Sequence, residues 1–408
     1  MNYRIYPPEE LTDVRIELPR SKSISNRALI INALTDGALP LENIAACDDT
    51  DVMVKALSST GDSIDIGAAG TAMRFLTAYY SSLPGRTVTI DGSERMRHRP
   101  IRALVDALRD CGADIEYAGE EGYPPLRITG RILKGGDISL PASISSQYIS
   151  ALLMIAPKME QGLTLTLDGG IISRPYITMT LSMMREWGID SDFSGNIITI
   201  VPGKYSPVRF SVEADWSAAS YWYEIAALSS IGISLGGLQQ ESYQGDSHVA
   251  GIFRNFGTIT NFDGGTTILE PSPDMSPRLS VDMSEQPDLA QTVAVTCCML
   301  GIPFRITGLS TLRIKETDRL EALRKELGKL SFTIAVEHDS ELIWDGERHP
   351  VFEEPAIDTY DDHRMAMSFA PVAIYVPGLI VNNIEVVSKS YPGFWDDLRQ
   401  AGFNLIEA

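Results

Sequence analysis

Residues 18–30 read LPRSKSISNRALI, a helix start at which the charges have the unexpected sign. A helix N-terminus carries a partial positive charge and unpaired N–H groups, so acidic residues are normally favoured in its first turn. Here Lys22 and Arg27 stand among three serines instead. Two interpretations stay open. Either a serine caps the helix and both cations are solvated, or cations, hydroxyls and N–H groups together face one phosphate or carboxylate.

The same arrangement opens a unit that is repeated along the chain. Each copy has a small or polar start, an apolar helix, a glycine-containing turn and a short strand, and an amphipathic helix with strand-like alternation follows. The six copies run from Ser21 to Ile44, Ala68 to Ile90, Ser145 to Leu167, Asp215 to Leu235, Asp288 to Thr307 and Asp361 to Val381. Because the first helix of each copy is apolar nearly all round, we expect these helices to be buried.

Length and repetition together predict two domains. A chain of 408 residues is long for one hydrophobic core. Six units divide into three plus three at the Pro- and Gly-containing passage from Val201 to Glu213. The predicted fold is mixed α/β (α+β), with three βαβαββ-type units in each domain. A cleft between two similar domains is a usual place for a small-molecule site.

Composition narrows the function. The formal net charge of -20 disfavours nucleic acid or an anionic membrane as a partner, because both would be repelled. No apolar run is long enough to span a membrane and no signal peptide is recognisable, so we expect a cytoplasmic protein. The 4 cysteines lack CxxC spacing and suit buried thiols better than zinc ligands or disulfides, so we expect no metal.

Clusters of cations and hydroxyls nevertheless recur at later helix starts and after strands. Each has an ordinary explanation as a cap, a tight turn or a solvated charge run. One shared anionic site would explain all of them. The clusters are GAAGTAMR (67–74), DGSERMRHRP (91–100), SSQY (145–148), SRPY (173–176), PD (287–288), RIKETDR (313–319), DDHR (361–364) and SKSYP (388–392).

The clusters in the second half of the chain leave specific alternatives open. Asp288 precedes a wholly apolar helix and can be a helix cap, a general base or both. If a helix begins within residues 313–319, Lys315 and Arg319 share one face, with Glu316 adjacent. Arg364 lies in the first turn of an apolar helix, where burial is costly unless an anion neutralises the charge.

Nine motifs in register resemble the EPSP synthase family of enolpyruvyl transferases. They lie between Pro19 and Pro392 and read SKSISNRAL, AGTAMR, RMRHRP, SSQY, SRPY, PD, KETDRL, DDHRMAM and SKSYP. The resemblance implies the two-domain alpha-beta prism of that family, in which the first residues join the second domain. The expected domains are therefore residues 18–211 and residues 1–17 plus 212–408, with the active site in the cleft between them.

The implied activity is transfer of the enolpyruvyl (1-carboxyvinyl) group of phosphoenolpyruvate to the 5-hydroxyl of shikimate 3-phosphate. Phosphate is released, and the product enters chorismate and aromatic amino acid biosynthesis. No metal or organic cofactor is implied. The expected partners are these two small-molecule substrates, and we expect a monomer.

Two alternatives accompany this interpretation. A related transferase acts on UDP-N-acetylglucosamine, but it is expected to carry a loop cysteine where this chain has RMRHRP. A non-catalytic anion-binding protein could also be built on the same fold. Retention of Lys22, Asp288, Glu316 and Lys389 argues against that second alternative.

Residue roles follow from the matched motif positions. The resemblance implies that Lys22 contacts both substrates, that Asp288 is the general base on the 5-hydroxyl, and that Glu316 transfers a proton at the methylene carbon. Which of the three moves which proton stays open. The expected shikimate 3-phosphate ligands, mainly in the N-terminal domain, are Lys22, Ser23, Arg27, Ser145, Ser146, Gln147, Ser173, Tyr176, Asp288, Thr311 and Lys315. The expected phosphoenolpyruvate ligands are Lys22, Gly70, Arg95, Gln147, Arg319, Arg364 and Lys389.

The chain departs from the common family pattern in two regions. Many members have Asn before AGTAMR and Pro after it, where this chain has Ala68 and Phe75. These positions lie on the phosphoenolpyruvate side, so sensitivity to glyphosate, a competitor of phosphoenolpyruvate in this family, does not follow from the resemblance. Asn is also common where this chain has Thr311, and we expect the missing amide to weaken shikimate 3-phosphate binding.

Overall fold

The computed structural model describes residues 1–9, 14–350 and 354–408, which form two compact units. The C-unit comprises Met1–Arg20 and Glu213–Ala408, and the N-unit comprises Ser21–Val212. The chain therefore passes from one unit to the other at residues 20–21 and again at 212–213. Within the expected segment 1–17, residues 10–13 lie outside the described residues.

Helices and strands are numbered along the whole described chain. The α-helices are α1 (Lys22–Ala33), α2 (Asp48–Ser58), α3 (Gly70–Ser81), α4 (Glu94–Arg97), α5 (Arg102–Asp110), α6 (Ser146–Ile155), α7 (Arg174–Glu186), α8 (Trp216–Ser229), α9 (Val249–Phe253), α10 (Ala290–Leu300), α11 (Arg319–Lys329), α12 (His363–Phe369) and α13 (Phe394–Gln400). The strands are β1 (Tyr3–Tyr6), β2 (Val14–Glu17), β3 (Ser63–Asp65), β4 (Thr87–Asp91), β5 (Asp114–Tyr117), β6 (Leu126–Thr129), β7 (Gly136–Pro141), β8 (Leu163–Asp168), β9 (Asp192–Ser194), β10 (Ile197–Ile200), β11 (Ile233–Gly236), β12 (Phe256–Asp263), β13 (Thr266–Met275), β14 (Leu279–Asp282), β15 (Phe304–Thr307), β16 (Ala335–Glu337), β17 (Glu341–Trp344), β18 (Ala356–Ile357), β19 (Leu379–Val381) and β20 (Asn404–Glu407).

Every sheet in the described chain has four strands, of which one pair is parallel. The N-unit contains the sheets β3-β4-β6-β5 and β7-β8-β10-β9, and the C-unit contains β12-β13-β11-β2, β14-β15-β17-β16 and β18-β19-β1-β20. The parallel pairs are β3/β4, β7/β8, β2/β11, β14/β15 and β18/β19. Parallel neighbours need a crossover connection. We call the first helix of each repeated unit an inner helix. The inner helices α3, α6, α10 and α12 provide four of these crossovers, and α8 completes the one from β2 to β11.

The first repeated unit differs from the prediction. The strand expected to end at Ile44 is absent from the described residues, and only an isolated parallel bridge joins Glu42 to Ser211. Two backbone hydrogen bonds of 3.0 Å, from Glu42 to Phe210 and from Val212 to Glu42, make up this contact. Pro40 and Pro207 flank the two segments and lack the N–H groups that would extend the pairing. The predicted strand is therefore wrong, and the N-unit has two full sheets.

The inner helices other than α1 are buried over most of their length, as predicted, whereas 5 of the 12 residues of α1 are partly or fully exposed. In α12 every residue is buried, in α3 only Thr71 is not, and in α6 only Gln147 is not. The inner helices α1, α3 and α6 pack on one another in the N-unit, and α8, α10 and α12 do so in the C-unit. α12 is short because Pro371 cannot continue an α-helix, and a 3₁₀ helix, Ala370–Ile374, follows. None of the described helices is long and apolar enough to cross a membrane.

Glu224 is a carboxylic acid in the apolar interior of the C-unit. It lies on α8 with 0% of its surface exposed, and neither carboxyl oxygen has a hydrogen-bond partner among the described residues. Burial raises the pKa of this carboxyl well above its ordinary value. A carboxyl whose pKa is higher in the folded than in the unfolded chain, where it is about 4.3, destabilises the fold as pH rises above the unfolded value.

We expect Glu224→Gln to remove this pH dependence. Above about pH 5, the free energy of unfolding of the variant should exceed that of the parent by an amount that grows as pH rises, by up to about 1.4 kcal/mol per pH unit. Urea unfolding across the range of about pH 5 to pH 8 measures the difference. Glu241→Gln, at an exposed residue of the same unit, is the matched control. A difference for Glu224→Gln that stays constant with pH would contradict the expectation.

Candidate active site

Within the N-unit, and likewise within the C-unit, inner helices begin close enough together for residues near their starts to contact one another. In the N-unit, Gln147 at the start of α6 donates from Nε2 to Oγ1 of Thr71 at the start of α3, at 3.1 Å. In the C-unit, Arg364 at the start of α12 donates to Oδ2 of Asp288, before α10, at 3.0 Å and to Oγ of Ser217, on α8, at 3.3 Å. The repeated crossover brings polar residues that are far apart in sequence together.

Arg27 is a buried cation with neutral partners. Its side chain on α1 donates from Nε to Thr180 Oγ1 at 2.8 Å, from Nη2 to Ser150 Oγ at 3.0 Å and from Nη1 to the Ser23 carbonyl at 2.9 Å. Only 2% of the residue is exposed. Among the described residues no carboxylate lies within salt-bridge distance of its guanidinium group.

Two aromatic rings complete the surroundings of Arg27. The Phe75 ring centroid lies 5.4 Å from the guanidinium carbon and the Tyr176 ring centroid lies 5.8 Å from it. Burial lowers the pKa of Arg27 to about 10, so the side chain stays charged at neutral pH. A buried positive charge held by hydroxyls and aromatic faces still lacks a counter-charge, and this cluster can therefore accept an anion.

The structure at the start of α1 distinguishes between the two interpretations of residues 18–30, a serine cap with solvated cations or a set of donors that faces an anion. The Ser21 hydroxyl accepts a hydrogen bond from the Ile24 N–H at 3.5 Å, so the predicted cap is confirmed. The solvated-cation alternative is wrong. Arg27 is buried, and Lys22 is 16% exposed with its Nζ at 3.3 Å from Oδ2 of Asp49.

Gly70 leaves room for two guanidinium groups at the start of α3. A Cβ atom on Gly70 would lie 2.6 Å from Nη1 of Arg99 and 3.0 Å from Nη1 of Arg74. Nη1 of Arg74 also donates to the Gly70 carbonyl at 2.9 Å. A larger residue would push these cations away from the helix N-terminus, so the glycine does more than permit a tight turn.

Among the arginines of residues 91–100, Arg99 is the one that reaches Gly70. The predicted ligand Arg95 is exposed on the short helix α4, and Arg97 forms an ion pair of 2.6 Å with Asp91. The sequence interpretation missed Arg99, although it lies within the same motif. Pro100 was the signal that could have singled out Arg99. A proline disfavours helical geometry at the residue before it, so Arg99 is expected to lie outside the short helix that contains Arg95.

The remaining predicted N-unit residues lie at two helix starts. Ser145 caps α6 by accepting from the Gln147 N–H at 3.3 Å, as the capping alternative predicted, and Ser146 is buried beside it. Ser173 precedes α7 with a left-handed backbone (φ 58°), is buried and makes no side-chain cap. A non-glycine residue in that conformation is strained, and such strain is concentrated at functional sites. The Tyr176 carbonyl accepts from Thr180 Oγ1 at 2.8 Å, which ties it to the Arg27 cluster.

Asp288 is an ion-pair partner and not a helix cap. It lies in the 3₁₀ turn Pro287–Leu289, and the N-cap residue of α10 is Leu289. Oδ1 lies 3.0 Å from Arg319 Nη1 and 3.4 Å from Lys315 Nζ, while Oδ2 lies 3.0 Å from Arg364 Nη2. Burial opposes ionisation, but the charges of Arg364, Lys315 and Arg319 together hold the pKa of Asp288 well below its ordinary value. The cap alternative is therefore wrong, whereas the general-base alternative stays open.

Two further carboxylates, Glu316 and Asp362, form ion pairs with predicted site cations of the C-unit. Glu316 bridges Arg319 Nη2 at 3.0 Å and Lys389 Nζ at 2.8 Å. Asp362 is fully buried, contacts Arg319 Nε at 2.7 Å and also caps α12 by accepting from the Arg364 N–H at 2.9 Å. The anion required by Arg364 is supplied, in this structure, by the carboxylate of Asp288.

Lys315 does not share a helix face with Arg319, contrary to the spacing argument. Helix α11 begins only at Arg319, because Asp318 caps it by accepting from the Glu321 N–H at 3.2 Å. Lys315 follows the 3₁₀ helix Ser310–Ile314, and the two cations meet at Asp288 instead. Thr311 lies in that 3₁₀ helix, and its buried hydroxyl has no hydrogen-bond partner among the described residues.

Comparison with known proteins gives a consistent result. The model of the family described as EPSP synthase (3-phosphoshikimate 1-carboxyvinyltransferase) matches residues 7–63 and 58–398. A 3-phosphoshikimate 1-carboxyvinyltransferase of Bacteroides fragilis (strain YCH46) is 53% identical over 407 residues, which cover 99% of each chain. One from Idiomarina loihiensis is 36% identical over 94% of this chain and 95% of its own. An EPSP synthase structure from Acinetobacter baumannii covers 100% of both chains with a TM-score of 0.77 at 22% identity, and this likeness confirms the predicted fold class.

We expect removal of one partner of the buried Asp362–Arg319 pair to destabilise the fold far more than removal of one partner of an exposed pair of similar length. Asp362→Asn keeps an acceptor for the α12 cap but leaves Arg319 short of a counter-charge, and removing one partner of a buried pair costs about 3–5 kcal/mol. Asp345→Asn is the matched control, because Asp345 is 67% exposed and pairs with Arg278 at 2.6 Å. It should cost at most about 1 kcal/mol. Equal losses of unfolding free energy in urea for the two variants would show that burial of the pair has no effect.

Proposed function

Since the chain belongs to the EPSP synthase (3-phosphoshikimate 1-carboxyvinyltransferase) family, we propose which of its residues carry out the reaction of that family. The chain is a transferase of the shikimate pathway and of aromatic amino acid biosynthesis. It moves the enolpyruvyl group of phosphoenolpyruvate to the 5-hydroxyl of shikimate 3-phosphate and releases phosphate. The observation that carries the residue assignment is the presence, in each unit, of a buried cation cluster built from the motif residues.

We assign shikimate 3-phosphate to the hydroxyl-rich cluster around Arg27. The 3-phosphate would supply the counter-charge that Arg27 lacks, and serine hydroxyls are suitable donors to phosphate oxygens. The proposed ligands in the N-unit are Lys22, Ser23, Arg27, Ser145, Ser146, Gln147, Ser173 and Tyr176. Asp288, Thr311 and Lys315 are the proposed ligands in the C-unit. The Thr311 hydroxyl supports its assignment, because it is buried and has no hydrogen-bond partner among the described residues.

Phosphoenolpyruvate is assigned to the remaining cations. Its phosphate and carboxylate suit the planar donors of Arg319 and Arg364 and the point charges of Lys389 and Lys22. Gly70 and Gln147 complete the proposed set, with Arg95 as the arginine implied by the motif. We add Arg99 to this set, because Arg99 lies against Gly70 and Arg95 is exposed.

The chemistry requires two proton transfers in the addition and two more in the elimination. In the addition, the 5-oxygen bonds to C2 of phosphoenolpyruvate, its proton leaves to a base and C3 gains a proton. In the elimination, C3 loses one of its methyl protons to a base, the C2–O bond to phosphate breaks, the enol ether double bond forms and the departing phosphate takes up a proton. Asp288 is the proposed base for the 5-hydroxyl, and Glu316 and Lys22 are the candidates at C3.

The ion pairs of Asp288 suggest how its basicity is adjusted. With Arg319, Arg364 and Lys315 around it, the carboxylate is ionised but weakly basic. Phosphoenolpyruvate would draw Arg319 and Arg364 toward its own negative charges. The pKa of Asp288 would then rise, so substrate binding would itself produce a stronger base.

The alternatives receive no support from the comparisons. The relatives from Bacteroides fragilis and Idiomarina loihiensis both carry the 3-phosphoshikimate name, and neither is named for UDP-N-acetylglucosamine. The residues whose loss would have favoured a non-catalytic protein are present. A cytoplasmic location, a monomeric state, the assignment of one substrate to each domain and an active site shared by the domains stay predictions.

We expect phosphate release from phosphoenolpyruvate to require shikimate 3-phosphate and to be lost in Lys22→Ala. Lys22 is the only catalytic candidate among the proposed residues of the N-unit, and loss of a general acid or base typically costs about 10²–10⁴-fold in rate. The measurement is phosphate released with shikimate 3-phosphate, with UDP-N-acetylglucosamine and with no acceptor. Lys55→Ala, at an exposed lysine of the same unit, should retain the activity. Release with the UDP-sugar alone would assign a different acceptor.

We expect Asp288→Asn to separate catalysis from phosphoenolpyruvate binding. The variant loses the proposed base, so kcat should fall about 10²–10⁴-fold. Because the carboxylate that competes for Arg319 and Arg364 is also lost, the Kd for phosphoenolpyruvate should stay the same or fall. Rapid kinetics and titration calorimetry measure the two quantities, and Asp274→Asn, at an exposed residue, is the control. Weaker phosphoenolpyruvate binding with unchanged kcat would make Asp288 a ligand and not the base.

A further inference from the structure

Asp246 is a buried carboxylate that the proposed chemistry does not use. It lies in the 3₁₀ helix Gly245–His248, before α9, and is 4% exposed. Oδ2 accepts a hydrogen bond from the Ser217 hydroxyl, while Oδ1 is buried with no hydrogen-bond partner among the described residues. A charged group so poor in partners is costly to bury, and this cost calls for a functional explanation.

Ser217 links this carboxylate to Arg364. A serine hydroxyl has one proton to donate and two lone pairs with which to accept. Ser217 Oγ gives its proton to Asp246 and accepts from Arg364 Nη2 at 3.3 Å. The carboxylate therefore orients the hydroxyl so that its oxygen faces the guanidinium group. Without Asp246 the hydroxyl could rotate and direct its proton elsewhere.

The charges of the cluster agree with this arrangement. Burial and then the negative charge of Asp288 raise the pKa of Asp246 to about 6, against the opposing effect of Arg364. Asp246 is therefore mainly ionised at neutral pH, and its negative charge attracts the positive charge of Arg364. Arg364 also donates from Nη1 to the Asp288 carbonyl at 3.2 Å, so a backbone contact and a hydroxyl contact accompany its ion pair.

We propose that Asp246, acting through Ser217, is a positioning residue that holds Arg364 in place for phosphoenolpyruvate. The proposal rests on the assignment of Arg364 to that substrate. When phosphoenolpyruvate takes over the charge of Arg364, the ion pair with Asp288 weakens, whereas the contact with Ser217 persists. An arginine side chain that is already fixed loses less conformational entropy on binding and presents its donors in the required direction.

The test compares Asp246→Asn, Ser217→Ala and the double variant in steady-state kinetics. Each single change should raise the KM for phosphoenolpyruvate about tenfold, since a hydrogen bond to a charged group is involved, and leave the KM for shikimate 3-phosphate unchanged. The double variant should resemble the single variants, because both changes break the same relay. Ser220→Ala is the matched control. Its hydroxyl lies one turn further along α8 and contacts Thr292 at 3.2 Å, and both KM values should stay unchanged.

The outcomes separate this proposal from the function on which it rests. Arg364→Lys is measured in parallel. If that variant leaves the KM for phosphoenolpyruvate unchanged, the assignment of Arg364 is wrong. If it raises this KM while Asp246→Asn and Ser217→Ala do not, the relay is wrong and the assignment stands. Equal increases for both substrates, or independent effects in the double variant, would also overturn the relay. Ser217→Ala alone decides the matter if Asp246→Asn does not fold.

Discussion

The cost of removing a guanidinium group from water is the constraint on which this site depends. The two units meet it differently. In the N-unit, hydroxyls, a carbonyl and aromatic faces hold Arg27, and a positive charge is left over. In the C-unit, Asp288, Glu316 and Asp362 surround Arg319 and neutralise it. An anion would complete the first cluster but must compete with carboxylates in the second. This competition favours ligands that carry more than one negative charge and disfavours simple monovalent anions.

The repeated unit explains why such clusters form at all. A parallel strand pair requires a crossover, and in four of the five parallel pairs the crossover contains one inner helix. Three inner helices pack together in each unit and bring their first turns close to one another. Small hydroxyl residues fit where these helices approach one another, as at Ser220, Thr292 and Ser368, which are joined at 3.2 and 3.3 Å. The helix N-termini supply partial positive charge and free N–H groups near the same place. The fold therefore repeats a setting that suits a bound anion, and individual residues differ from one copy to the next.

Local pattern predicted the inner helices well, because each is an apolar run with a polar start and a glycine turn, and burial of α3, α6 and α12 confirms them. It also predicted that cations at these starts would need anions. It failed where a partner from a distant part of the chain decided the outcome. The local sequence is compatible with Asp288 as a helix cap, but in the structure its carboxylate forms ion pairs with Arg319 and Arg364. Arg99 and Asp246 carry no periodic signal, and only the packed structure brings them to Gly70 and Ser217.

The parallel pairing of β2 with β11 has a consequence for biosynthesis. These strands are neighbours in one C-unit sheet, yet the whole of the N-unit lies between them in the chain. β1 likewise pairs with β19 and β20. During translation all strands of the N-unit have been synthesised once Val212 has left the ribosome, so this unit can begin to fold. At that time the strands that pair with β1 and β2 have not yet been synthesised. Until synthesis ends, β1 and β2 expose unpaired backbone N–H and C=O groups, which can pair with another chain and cause aggregation.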